Sequence, residues 1–361
     1  MAKPKLTVKE IARLAEVSIG TVDRVLHDRG GVSEETRKKI ETIVRDGDYK
    51  PDLLARQLSL GKDWHFRVVM PSDAQDSGYW KLCRDGVERA AADLAAYRVS
   101  VTVDSFDRYD SAACRTLLDS VAADPGDGLL LAPVLSVEFS DFLRILDPAL
   151  PYAFFDGWIE GGKPRFSIYQ DAFRSGYLAG KLLSLLAPAG RLAAVNAHGE
   201  DIHIKRRIEG FWAALKDRER DGIVRECRNI DDPSVRMAFM RELSAPENAI
   251  AGILVVNASG HFVGNWLVAS GRKSSCSLVS WDLVPENRRA LDEGLIDCII
   301  SQRPEEQTRA GLELLFRTVA FGIMAESECL LPIDVFFKEN APRVELRRSV
   351  GELPGRIKEI Q

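Results

Sequence analysis

Apolar positions at the start of the chain recur at helical spacing. Thr7-Val8-Lys9-Glu10 spells a capping box, in which a hydroxyl and a carboxylate each satisfy an orphan backbone N–H. Behind it Ile11, Leu14 and Ala15 are expected on one buried face. Ser18 opens a second helix with Val22, Val25 and Leu26 apolar, and Ser33 opens a third with Ile40, Ile43 and Val44. Only about three residues separate the first two helices, which forces a sharp crossing. The segment therefore predicts a helix-turn-helix. The outer side of its second helix carries Ile19, Gly20, Thr21, Asp23 and Arg24, small, polar and cationic residues suited to the major groove. Arg24 could bond a guanine bidentately, although a solvated helix face is the plainer reading. Pro51 then opens, and Gly61 closes, a short helical pattern over Asp52 to Leu60 that is marginal alone in water.

From Phe66 onward short apolar runs alternate with helical stretches. The runs fall at 66–71, 99–103, 128–133, 152–156, 166–170, 191–197, 223–230, 251–257, 276–282, 297–301 and 333–338. Helices are expected between them, for example over Tyr79–Leu94, Ala172–Leu186, Ile204–Lys216 and Glu305–Phe321. This alternation predicts parallel sheets covered on both faces. About eleven strands are too many for one sheet, and the break near Trp158–Arg165 is read as the crossover between two lobes. Ligands of open α/β sheets bind beyond the carboxyl ends of strands. The polar groups expected there are Asp73, Asp156, Asn257, Asp282 and Gln302, with Tyr79 and Trp80 opening the first helix and Lys205 and Arg207 on a later one. Each of these taken singly could equally cap a strand end.

Composition narrows the function. The longest apolar stretch, Gly128 to Val137, is about ten residues, short of a bilayer span. The first residues lack the apolar core of a signal peptide. Six cysteines are scattered without C-x-x-C spacing, so neither zinc nor a disulfide framework is indicated, and a reducing cytoplasm is expected. The chain carries a net −5, but residues 1–62 hold 13 Lys+Arg against 10 Asp+Glu, leaving +3 there and −8 on the rest. A basic head on an acidic body suits a DNA-binding module joined to another domain. No nucleophile elbow, P-loop, dinucleotide fingerprint or H-E-x-x-H occurs, so neither catalysis nor a cofactor is expected. A purely architectural DNA-binding protein would not need 300 residues of cleft-forming fold.

Several motifs carry a family resemblance: Leu6-Thr7-Val8-Lys9-Glu10-Ile11-Ala12, Val17-Ser18-x-x-Thr21-Val22-x-Arg24-Val25-Leu26, Val32-Ser33-x-x-Thr36-Arg37 and Ala55-Arg56-Gln57-Leu58. With them the chain resembles the lactose/galactose/purine repressor family, unbroken through residue 60 and more loosely over 64–345. The resemblance implies an all-α helix-turn-helix head and an α/β two-lobed body of the type I periplasmic binding-protein fold. The boundaries expected are 1–50 for the head, 51–62 for a hinge helix and 63–361 for effector binding and dimerisation. It implies DNA contacts from Thr7, Ser18, Ile19, Gly20, Thr21, Arg24, Ala55 and Leu58, with Leu58 as a minor-groove wedge. The partners implied are a near-palindromic operator, a second copy of the chain (a tetramer is left open) and a small effector, with no membrane and a nucleoid-associated, cytoplasmic location. Asp156, Asn257, Asp282 and Gln302 carry over to the family's ligand ring. Lys205 aligns with its ligand-gripping arginine, with Arg207 as the alternative.

There are two departures from the family pattern. Glu16 stands where a turn glycine is usual, and Asp23 replaces a small serine-like residue. For the effector, the two aspartates and the aromatic pair at an expected cleft mouth favour a neutral sugar or polyol. Lys205, Arg207 and Arg303 keep a sugar acid or sugar phosphate open, with a nucleobase as a further alternative.

Overall fold

The computed structural model describes residues 6–26, 30–47, 61–198, 201–245 and 250–342. They belong to two compact units, 1–62 and 63–361. The hinge pattern after Pro51, with Ala55 and Leu58, lies outside the described residues.

In the first unit α1 (Val8–Ala15), α2 (Ile19–Leu26) and α3 (Glu34–Asp46) enclose Ile11, Ala12, Ala15, Val22, Val25 and Ile40. Their starts are fixed locally. Thr7 N donates to Glu10 Oε2 at 2.8 Å, completing the capping box, while Ser18 and Ser33 accept from Thr21 N and Thr36 N. Leu14 departs from the expected face, being 46% exposed, with Ala12 buried instead. At about 100° per residue, an arc centred on Ile11, Ala12 and Ala15 leaves Leu14 to one side. Glu16 ends α1 in the left-handed region at φ 58°, ψ 43°. A side chain there costs about 1–2 kcal/mol that glycine would avoid.

The second unit runs β1 (Trp64–Pro71), β2 (Val99–Phe106), β3 (Gly128–Leu131), β4 (Tyr152–Phe155), β5 (Ser167–Gln170) and β6 (Arg191–Asn196). It continues with β7 (Gly222–Glu226), β8 (Ile250–Val255), β9 (Ser277–Trp281), β10 (Cys298–Ser301), β11 (Glu328–Leu331) and β12 (Asp334–Phe336). They form two six-stranded sheets, ordered β11-β5-β4-β3-β1-β2 and β12-β10-β9-β8-β6-β7. Helices cover both faces, and the pairings are parallel except β10 with β12. Among the described residues no helix is long and apolar enough to cross a membrane. The two sheets share one strand order, so β4 of the first lobe and β9 of the second occupy equivalent places.

Two expectations need correction. Trp158–Arg165 is not the lobe crossover, because β4 and β5 pair within one sheet, Phe154 beside Ser167. It is a glycine- and proline-bearing loop whose Trp158 ring lies 4.9 Å from that of Tyr169. A break in periodicity marks a loop but does not say which sheet receives the next strand. The chain changes lobes instead after β5, after β10 and between β11 and β12. Gln170 binds these crossings together, its Nε2 donating to Ser301 O at 2.8 Å and Pro332 O at 3.2 Å. The second correction is β11, a twelfth strand. It alternates exposed and half-buried residues at a sheet edge, and its short apolar stretch Cys329-Leu330-Leu331 is parted from the run at 333–338 only by Pro332.

Candidate functional site

The strand ends converge on one buried cavity between the lobes. The first lobe contributes Asp76, Tyr79, Trp80, Arg108 and Asp156, and the second His198, Asp201, His203, Arg207, Asn257 and Asp282, with Gln302 at the crossing after β10. The space left among them is about 20 Å³, room for about one water.

Asp156 follows β4 and Asp282 follows β9, and both are left-handed, with φ 66° and 58°. Each backbone N–H donates to the neighbouring strand, to Ile168 O at 3.2 Å and Ile300 O at 2.8 Å. The shared topology thus delivers a strained carboxylate from each lobe to the same cavity. Their partners differ. Asp156 Oδ1 accepts from Tyr79 OH at 2.7 Å, whereas Oδ2 lies 3.9 Å from His203 Nε2, beyond hydrogen-bond reach. Asp282 accepts from Gln302 N and Gln302 Nε2, both at 3.0 Å. Gln307 ties these ends together, accepting from Asp156 N and donating to Gln302 O.

Arg207 lies on helix Ile202–Asp217, which is pressed hard against helix Ala172–Leu186. A Cβ on Gly176 would fall 2.0 Å from Arg207 O, and one on Gly210 would fall 2.1 Å from Phe173 O. This backbone contact fixes where Arg207 enters. Its guanidinium donates to Val256 O at 2.8 Å and Gln302 Oε1 at 2.5 Å and lies 4.6 Å over the Trp281 ring.

A second group bridges the lobes. Arg108 donates to Asp201 Oδ2 at 2.6 Å and also engages Asp76, all three side chains being buried. Trp80 Nε1 donates to Asp76 Oδ2 at 2.6 Å, and His198 Nε2 lies 2.8 Å from Asp76 Oδ1 without an aligned hydrogen bond. Nearby, Ser77 N and Oγ both donate to Asp231 across the cleft.

Burial governs the electrostatics. It raises Asp282 to about 7 despite the Gln302 N–H and Arg207, and it raises Asp156 against the Tyr79 hydroxyl and Arg207. It lowers Arg207 against Asp282 and Asp156, and together with Arg207 it drops His203 to about 3. At Asp76 burial also pushes upward, but Arg108 and His198 prevail and hold the carboxyl well below its usual range.

Of the residues expected at the site, Tyr79, Trp80, Asp156, Arg207, Asn257, Asp282 and Gln302 line this cavity. Tyr79 and Trp80 are buried inside it rather than placed at a mouth. Asp73 is elsewhere, paired with Arg84 at 2.6 Å. After β1 the chain makes a further turn before its helix, so Asp76, itself at φ 54°, reaches the cleft instead. Lys205 is exposed. Two residues apart on a helix means about 200° around it, so Lys205 stays out of the cavity that Arg207 enters and lies in a neighbouring crevice with Asp201, Val134 and Trp158. Arg303 pairs with Asp334 at 2.6 Å and with Glu306, outside the cavity. Asp76, Arg108, Asp201, His198 and His203 were not singled out as site residues. The close pair His198/His203 was the one sequence signal for this group.

Residues 67–322 match a family described as periplasmic binding protein domain, and residues 7–52 match bacterial regulatory proteins, lacI family. The chain belongs to the periplasmic binding protein domain family over most of its length and carries a lacI-family helix-turn-helix domain at its head. The HTH-type transcriptional regulator DegA of Bacillus subtilis is 26% identical over 216 residues, 59% of this chain and 61% of that protein. The chain thus matches about three fifths of that relative's length. The lac repressor dimer bound to operator and the anti-inducer ONPF shares the fold, with TM-score 0.64 and 19% identity over 92% of this chain and 98% of that one. GanP, a glucose-galactose binding protein from Geobacillus stearothermophilus, does so with TM-score 0.67 and 19% identity over 78% and 100%.

In the lacI-family head the outer face of α2 is open. Ser18, Ile19, Gly20 and Arg24 are exposed and Thr21 is half-buried, its hydroxyl 2.9 Å from that of Ser18. A Cβ on Gly20 would meet only Ser18 Oγ at 3.8 Å, so the helix surface there is shallow. Thr7 is exposed but engaged as the α1 cap.

Proposed function

We propose that the protein is a non-catalytic transcription regulator that binds a near-palindromic operator as a dimer and senses a sugar or polyol between its lobes. In this reading Ile19, Gly20 and Arg24 face bases, while Thr7, Ser18, Thr21 and Ala55 contact the backbone and Leu58 wedges the minor groove. Asp156, Asp282, Asn257, Arg207 and Gln302 grip the ligand's hydroxyls, with Tyr79 and Trp80 beside them, once the lobes part to widen a space that as it stands holds about one water. The observation that carries it is the convergence of these buried polar groups at the facing strand ends of two lobes. With Lys205 and Arg303 outside the cavity, the sugar-acid and sugar-phosphate alternatives lose two of their three cations.

Operator release or capture follows from ligand binding that favours one arrangement of the lobes. A thermal-shift screen of sugars and polyols tests this, since a ligand at 100 times its Kd stabilises by about 2.7 kcal/mol. The hit must also change affinity for a DNA selected by the protein. Stabilisation without any change in DNA affinity would defeat the regulatory reading.

A further inference from the structure

We propose that the ligand carries a protonated amine on its polyhydroxylated frame, and that Asp156 and Asp282 receive the ammonium group. The inference rests on the proposed sugar or polyol reading of the cleft and adds the charge of the ligand.

The cavity lining holds four aspartates against two arginines. Arg108 is engaged by Asp76 and Asp201, which leaves Arg207 as the main cation for Asp156 and Asp282, with a smaller influence of Arg108 on Asp156. Counting His198 as a cation beside Asp76 would neutralise that group without reaching this pair. Arg207 directs its hydrogen bonds to neutral acceptors, the Val256 carbonyl and the Gln302 side-chain oxygen. His203, the nearest other basic group to Asp156, is held neutral by burial and by Arg207. Asp156 Oδ2 belongs to a side chain only 3% exposed and has no hydrogen bond within reach of that imidazole.

Two carboxylates thus share one main cation in a buried site, a costly arrangement. It is relieved by taking up a proton or by an opposite charge within about 4–6 Å. Burial is the main cause of the upward pull on both carboxyls, and Asp76 adds to it at Asp156 as Asp156 does at Asp282. A neutral polyol leaves it in place and an acidic sugar deepens it. An ammonium group corrects it while also donating hydrogen bonds.

Calorimetry and thermal shift on the full chain at pH 7 would compare glucosamine with glucose, galactosamine with galactose and mannosamine with mannose. The expected result is at least tenfold tighter binding of the amine in one or more pairs. That preference should shrink to below about threefold in Asp282→Asn or in Asp156→Asn, two independent isosteric variants whose folding is checked by melting. Equal or tighter binding of the hydroxyl partners in every pair that binds would overturn the ammonium and leave the cleft reading standing. Failure of all six sugars to bind would overturn the proposal together with the sugar reading.

Discussion

The head and the cleft are built on different length scales. In the head the polar bonds that set structure run three residues along the chain, Thr7 to Glu10, Ser18 to Thr21 and Ser33 to Thr36, and all are exposed. In the cleft they span 77 residues from Tyr79 to Asp156, 93 from Arg108 to Asp201 and 95 from Arg207 to Gln302, and all are buried. An exposed local bond competes with water and contributes little, whereas a buried charge that loses its partner keeps its full desolvation cost. The same kind of side chain therefore has very different weight in the two regions.

The largest expected effect is at the interlobe bridge. Arg108→Ala leaves Asp76 and Asp201 buried without their cation and should cost about 3–5 kcal/mol in urea unfolding. Removing the half-exposed Arg309, paired with Asp93 at 3.0 Å, should cost less than about 1 kcal/mol. Equal losses would erase the contrast.

Next come the cavity carboxylates. Asp156→Ala and Asp282→Ala should each weaken ligand binding by a few kcal/mol, because the remaining polar partners stay buried and unpaired. DNA binding without ligand should persist in both. Asp282 also sets a pH dependence. Its folded pKa of about 7 lies above the usual carboxylate value, so its contribution to stability is fully present below about pH 4 and is lost as pH rises through about 7. Urea unfolding across that window should show Asp282→Asn losing less stability than the parent. An identical pH profile for the two would place the ionised form in a satisfied environment.

What could be read from the sequence follows the same division. The capping box, both serine caps and the two-lobe alternation were legible because they depend on neighbours three or four residues away or on a repeat of apolar runs. Asp156, Asn257, Asp282 and Gln302 were legible as strand ends. Asp76 was hidden by one extra turn after β1, and Arg108 and Asp201 by a pairing that exists only when the lobes meet. Lys205 misled because sequence proximity ignores the 200° between it and Arg207 around the helix.

Smaller effects belong to the head. Arg24→Ala should cost about 1–3 kcal/mol in specific DNA binding and relax preference at one base pair per half-site. Uniform weakening across sequences would make it a phosphate contact. Glu16→Gly should stabilise the chain by about 1 kcal/mol in thermal unfolding, since glycine removes the left-handed penalty at φ 58°. A loss of stability there would mean that its 3.5 Å contact with Lys39 outweighs the strain.

The central claim, that occupancy of the cleft controls DNA affinity, is tested most directly by fluorescence anisotropy. The protein would be titrated against its own selected near-palindromic DNA, with and without the sugar that stabilises it best. The account predicts that the sugar shifts DNA affinity at least tenfold in the parent and has little effect in Asp282→Asn, whose ligand-free affinity matches the parent. An undiminished shift in that variant, or no shift in the parent at saturating sugar, would contradict it.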